Sequence, residues 1–240
     1  MLPLRDLHSQ LDEALNINNS DSVFSTLYYT DLINEQRSLA IRNEYNKLRT
    51  FDYAVQQTIP CIEMELVDPH NCCVTIPIGC KILRSKLPIP NTIEFHHSKG
   101  LTSVGPVIIT AKRFNIIDYN RVPYIGEGRT TAKAIYTFIY DSYVYVFGKD
   151  TSSINLIKKI ALRGIFEDPT SLAELTDCSN GNSCWSPEDP YPLNQWMWAY
   201  IKEPIIQQLL RKKQIPMDDS NNANDDMQDV PGAQPQQSKK

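Results

Sequence analysis

The side chains best able to do chemistry in this chain are its six cysteines and four histidines. Cys61, Cys72, Cys73 and Cys80 lie early, Cys178 and Cys184 late. A zinc knuckle needs two thiolates roughly two to four residues apart, so that one backbone turn presents both to a tetrahedral ion. The adjacent pair Cys72-Cys73, followed by Cys80, lacks that spacing. A four-thiolate site arises only if the early cluster meets Cys178 and Cys184 in space. A small cysteine- or zinc-stabilised binding module therefore stands as the alternative reading. Buried free thiols are the simpler expectation, and a disulfide framework is not expected without a secretory leader. His8, His70, His96 and His97 offer no better site. His96-His97 sits beside Glu94, but neighbouring residues of a strand point to opposite faces and cannot share one ion. No metal ligand is assigned.

Acid–base and phosphate chemistry fare no better. Glu63 and Glu65 share a strand face, yet on an edge strand two carboxylates are simply solvated. The fragment Tyr124 to Arg129 has Gly126 and Gly128 but no lysine–serine/threonine step to hold phosphate and magnesium, and reads as a loop. Nucleophile elbows, HExxH and GxGxxG are missing from the sequence. The expectation is a non-enzymatic protein with no catalytic residue and no cofactor.

Charge argues against nucleic-acid recognition. The formal net charge is −4. From Pro216 onward five aspartates face two lysines, which leaves the rest of the chain at about −1 and without an electrostatic footprint for DNA. Arg211-Lys212-Lys213 falls at the end of an expected helix, where it complements the helix dipole. Hydrophobic residues make up 41% and charged residues 22% of the chain, as in ordinary globular proteins. No apolar run nears the ~18 residues that span a bilayer, and the start MLPLRDLHSQLDEAL lacks a leader's basic and apolar regions. Synthesis in a reducing cytoplasm, without a membrane, is expected.

The elements that must hold these residues follow from periodicity. Leu4, Leu7, Leu11 and Leu15 predict a short amphipathic helix within 1–18, broken by Asn18-Asn19-Ser20-Asp21. A long helix is expected over 30–58, capped by Thr30 with Asp31 in its first turn. Its apolar stripe is Ile41, Tyr45, Leu48, Phe51 and Val55, with Arg37, Arg42, Glu44 and Lys47 on the remaining surface. Ile59-Pro60 should end it. From Cys61 the texture turns to short strands, among them Lys81 to Ser85, confined by Pro77, Pro88 and Pro90. The stretch 91–129 is ambiguous, with a strand pair in VIITAKRFNIIDY as one reading.

The strongest local signal is AIYTFIYDSYVYVFG, residues 134–148. With Asp141-Ser142 as a two-residue turn, Tyr140 faces Tyr143, Phe138 faces Tyr145 and Tyr136 faces Phe147, all on one face. Ile135, Thr137, Ile139, Val144 and Val146 form the other. Neither face suits bulk water, so one should pack on the domain's own core and the other on a helix or a neighbouring subunit. A further strand is expected in 157–167, with Gly164 at a bulge or close approach. Asp168-Pro169 should then cap a short helix. The last helix, about 193–214, repeats Leu193, Trp196/Met197, Tyr200/Ile201, Ile205 and Leu209, with Pro204 expected to kink it. After Pro216 the polar, acidic tail should be disordered.

The expected fold is α+β. Residues 1–29 form an arm with a short helix. The 30–58 helix and the 169–215 helices form a helical part, and 59–168 a β-rich part projecting between them. Residues 216–240 form the acidic tail. Candidate subunit-interface residues are Tyr136, Phe138, Tyr140, Tyr143, Tyr145, Phe147, Trp196 and Trp198.

Taken in order, the Cys/Pro-rich PIGCKILRSKLPIP (77–90), the aromatic hairpin, ALRGIFEDP (161–169), the Cys178…Cys184 loop and a helical end form a recognisable succession. It resembles the ring-forming structural proteins of crAss-like and related podovirus-type phages over roughly residues 30–210. The hairpin turn, Asn-Gly in many such proteins, is Asp-Ser here. The resemblance implies a virion protein at the head–tail junction, a connector, adaptor or tail ring. It implies a closed homo-oligomeric ring, dodecameric by family expectation, stacked against the portal and other tail-ring proteins. DNA would pass through its channel without specific binding.

Overall fold

The computed structural model describes residues 2–15, 24–68, 82–95, 98–108, 110–125, 128, 131, 133–148, 154–177 and 181–214. The expected break at Asn18 to Asp21, the strand-confining Pro77, the pair His96-His97 and the acidic tail lie outside the described residues.

Helix α1 (Leu4–Ala14) buries Leu4, Leu7 and Leu11, with Leu15 just beyond its end, as the leucine spacing predicts. Helix α2 runs from Thr26 to Leu48, not over 30–58. Ser25 is its N-cap, its hydroxyl accepting from the Tyr28 amide at 3.2 Å. Thr30 lies one turn inside and spends its hydroxyl on the Thr26 carbonyl at 2.9 Å, so Asp31 is not in the first turn. The helix stops because Arg49 turns left-handed at φ 57°. Asp52 then accepts from the Ala54 amide at 3.0 Å and winds Tyr53–Val55 into a 3-10 turn. Phe51 and Val55 kept the helical spacing for another reason. Phe51 folds back to stack on Tyr45, centroids 4.5 Å apart, and Val55 is buried below the same helix.

Strand β1 (Gln57–Val67) carries Pro60 in its interior. That is tolerated because the register with its partner slips between Ile59 and Ile62, so the missing N–H falls where the ladder is already interrupted. Then come β2 (Ile82–Ser85), β3 (Glu94–Phe95), β4 (Ser98–Lys99), β5 (Leu101–Pro106), β6 (Asn115–Ile116), β7 (Tyr136–Tyr140), β8 (Tyr143–Phe147) and β9 (Lys159–Gly164). Seven of them form one sheet in the order β5-β9-β1-β2-β8-β7-β6, and β3-β4 is a separate ribbon. All pairings are antiparallel except β6 with β7. The two end strands come back toward each other, the Phe114 amide donating to the Val104 carbonyl at 2.8 Å. The ambiguous 91–129 stretch thus supplies β3 to β6 and a 3-10 turn over Tyr119–Tyr124.

Gly164 is a close approach. A Cβ there would stand 3.1 Å from the Gly100 carbonyl oxygen, and the slip in β5 between Leu101 and Ser103 lies directly opposite. Asp168 caps the expected short helix, Pro169–Glu174, which is wound as 3-10, by accepting from the Thr170 amide at 2.9 Å. Helix α3 (Gln195–Gln214) keeps Pro204 inside it and packs on α2. Its Met197, Trp198, Ile201, Ile205 and Leu209 are buried, each such side chain contributing about 1.5–3 kcal/mol by leaving water.

Helices from the two ends of the chain therefore pack together around a β-rich middle, as the sequence indicates. The β part does not project, however. One core joins Leu7, Ile33, Ile41, Met197 and Ile205 of the helices to Ile62, Leu83, Val144 and Leu162 of the sheet.

The joint between helices and sheet is Arg37, expected on the surface and found fully buried. Its guanidinium donates from Nε to the Pro192 carbonyl at 2.8 Å, from Nη1 to Phe166 at 2.8 Å and from Nη2 to Val55 at 3.1 Å. Those carbonyls come from the segments entering α3, leaving β9 and entering β1. Tyr191 packs its ring 5.8 Å from the guanidinium carbon and hydrogen-bonds Asn34 through its hydroxyl. Asn34 in turn donates to Asp168 at 3.0 Å. Burial lowers the Arg37 pKa from its usual value, and Tyr191 and Asp168 oppose that.

Candidate functional site

The hairpin forms in the register its alternation predicts: Tyr136 opposite Phe147, Phe138 opposite Tyr145, Tyr140 opposite Tyr143. Asp141 and Ser142 both take positive φ, 49° and 60°. That is the tight turn whose twist matches the strands, usually built from Asn-Gly, so Asp-Ser makes neither a longer nor a looser connection.

The aromatic face is largely consumed within the chain. Tyr136, Phe138, Tyr145 and Phe147 are buried in a second cluster with Ile82 and Val122. Its cover is the 117–125 segment, whose Tyr119 meets Phe138 at 5.7 Å and Tyr140 at 4.7 Å. Val144 and Val146, on the opposite face, belong to the main core. Only Tyr140 and Tyr143, beside the turn, keep solvent access. Tyr143 lies under the Arg84 guanidinium at 4.7 Å, and Arg84 donates to Glu65 at 2.6 Å.

The carboxylates of β1 are thus not on an edge strand, although Glu63 keeps its access to solvent. β1 is interior to the sheet, and Glu63 pairs with Lys86 at 2.7 Å. The hydrogen bond to Lys86 holds the Glu63 carboxyl below its usual range and raises Lys86 in turn. Both charges are neutralised across the strands, which is poor preparation for proton transfer.

The two tryptophans separate. Trp198 is buried and donates its indole N–H to Gln10 Oε1 at 2.8 Å, fastening α1 to α3. Trp196 is half exposed, 50%, on the outer face of α3 beside Tyr200 at 64%. It rims a groove of about 270 Å³ between the end of α2 and the start of α3, shared with Tyr45, Leu48, Phe51 and Met197. Glu44 and Asp52 are the charged residues of its lining. Spacing could not reveal this groove, because half its wall comes from the turn after Leu48. Exposed Leu48, 61%, was legible only as part of a stripe.

Among the described residues no group of three His, Cys, Asp or Glu side chains could hold a metal ion. Cys72, Cys73, Cys80, Cys178, His70, His96 and His97 lie outside them. Cys61 is buried on β1 and disulfide-bonded, where a free thiol was expected. Cys184 is free; burial and then Asp177 push its thiol up, which makes it a weak nucleophile. No helix of the described residues is long and apolar enough to cross a membrane. The exposed aromatic and aliphatic groups around the groove have the character of a protein-binding surface.

A family model described as phage tail ring protein 2 matches residues 11–227. The chain is 24% identical to a protein of Bacteroides phage crAss001 named Ring protein 2, across 93% of this chain and 97% of that one.

Proposed function

The chain belongs to the phage tail ring protein 2 family of crAss-like phages, and from that premise we propose that it forms the ring linking portal to tail around the DNA channel. It is a structural virion protein that assembles as an oligomeric ring. The finer placement is ours: a homo-oligomeric, dodecameric ring at the head–tail junction, in contact with the portal and with other tail-ring proteins. Assembly takes place in the host cytoplasm, and the protein has no catalytic activity.

The observation that carries this reading is that unlike aromatic and aliphatic surfaces stay accessible to solvent on one subunit. One is the aromatic groove at Leu48 and Trp196. Others lie at the sheet, where half-buried Tyr140 and Tyr143 end the hairpin and Ile108 projects beyond β5. A closed ring uses head-to-tail contacts, which need two different complementary patches on each subunit. Of the residues assigned to the interface from sequence, Tyr140, Tyr143 and Trp196 retain the exposure to meet a neighbour directly. Tyr136, Phe138, Tyr145, Phe147 and Trp198 support them from beneath.

Electron microscopy of purified particles carrying a tagged copy tests the placement. The expected result is label on a twelvefold ring between portal and tail. Label on the capsid shell, or particles lacking the chain, would overturn it.

A further inference from the structure

We propose that successive copies in the ring meet with the β5–β6 turn of one subunit seated in the α2–α3 groove of the next. This contact rests on the ring reading above and names the partner of its groove.

The turn follows β5 and is closed by the Ala111 amide donating to the Ile108 carbonyl at 3.1 Å. Ile108 is 68% exposed at its tip, and Val107 beside it 36%. A large aliphatic group projecting from a tight turn gains nothing for its own subunit. The base of the turn is braced. Arg113 donates to the Pro106 carbonyl at 3.1 Å and packs where a Cβ on Gly105 would come within 2.7 Å. Between Val107 and Asn115 the sequence carries Lys112 and Arg113 and no carboxylate.

The groove is its complement. The walls are Tyr45, Leu48, Phe51 and Trp196, and its lining charges are the carboxylates Glu44 and Asp52. A cavity of about 150 Å³ accepts a benzene ring. The groove's 270 Å³ therefore holds an isoleucine side chain with room for the neighbouring valine. Lys112 would then meet Glu44, a rim charge pair that sets orientation more than affinity.

Strand register places the two features at opposite ends of one ribbon. Gln57 and Leu101 both face Gly164, whereas Pro106 faces Ile160. The groove adjoins the first end, since Val55 lines it and Phe95, just before β5, packs on Phe51 and Tyr45. The turn leaves the second end. Four residue steps separate them along β9, from Gly164 to Ile160, about 13 Å at ~3.3 Å per step. A knob at one end and a hole at the other are what head-to-tail propagation requires.

The test uses assembled particles. With Ile108→Cys and Leu48→Cys in one chain, oxidation should give a ladder of covalent multimers on a non-reducing denaturing gel. Each single variant should give at least about tenfold less. Ile108→Asp should cut incorporation into particles at least about tenfold, with the melting temperature of the free chain unchanged because the residue is exposed. Lys112→Glu should weaken incorporation and Glu44→Lys in the same chain restore it. Rings visible in the double-cysteine particles without a ladder overturn the contact and leave the ring reading standing. Incorporation of Ile108→Asp at the wild-type level overturns it equally. Particles without any ring of this chain remove the ring reading, and the contact falls with it.

Discussion

Arg37 shows how much one side chain can decide. In the structure Ile33 and Ile41, one turn before and after it, are both buried, so it stands on the core side of α2. Its charge argued for solvent. What reverses that argument is the fork of donors, which satisfies three carbonyls from three chain segments at once. A buried cation without such partners would cost several kcal/mol. Arg37→Met keeps much of the volume but strands the carbonyls of Val55, Phe166 and Pro192. It should destabilise the chain by about 3 kcal/mol or more, since hydrogen bonds to charged groups contribute about 1.5–3 kcal/mol each. Arg37→Lys should recover only part of that, because an ammonium on a flexible stem cannot reproduce the planar fork. Urea unfolding of the three proteins measures both differences.

At the scale of the element, α1 is the part whose attachment can be titrated. It rests on α2 and α3 through its leucines, through Gln10 to Trp198, and through a polar cluster. In that cluster Tyr29 donates to Asp12 at 2.8 Å and His8 Nε2 lies 3.2 Å from the Thr30 hydroxyl. With the Thr30 hydroxyl donating to the Thr26 carbonyl, the His8 tautomer protonated on Nε2 is the one that can donate in that pair. Burial lowers the His8 pKa below 6.5, with Asp12 opposing. A histidine depressed in the folded state binds fewer protons there than in the unfolded chain. Its contribution is therefore complete above about pH 6.5 and is lost as the pH falls through the folded value. The melting temperature should decline more steeply from pH 7 to 5 in the native chain than in His8→Gln. Equal slopes would show that the imidazole is indifferent to docking.

For the whole molecule, charge and shape point the same way. The near-neutral body offers no basic stripe in its sequence, and under the proposed channel role it should not grip DNA. Duplex binding by the isolated chain should be weak, about 10⁻⁴ M or weaker at physiological salt, the loose end of non-specific affinities. Fluorescence anisotropy with a labelled duplex checks this. Tight binding that falls steeply with salt would mean a phosphate-contacting surface and a different role for the ring.

Much of the fold was legible because its signals are local. The hairpin register follows from period-two alternation, which needs no partner beyond the adjacent strand. The leucine stripe of α1, the cap at Asp168 and the close approach at Gly164 are read from residue type and spacing in the same way. The family, too, was carried by a linear succession of motifs. Tertiary structure alone decided where apolar spacing stops meaning helix, as at Phe51 and Val55. It decided that four hairpin aromatics serve the chain's own core, and that Arg37 is buried. It also built the groove, from a turn and two helices distant in sequence. The reason is common to all of these: periodicity says that a face must be covered, but only the three-dimensional path of the chain says by what.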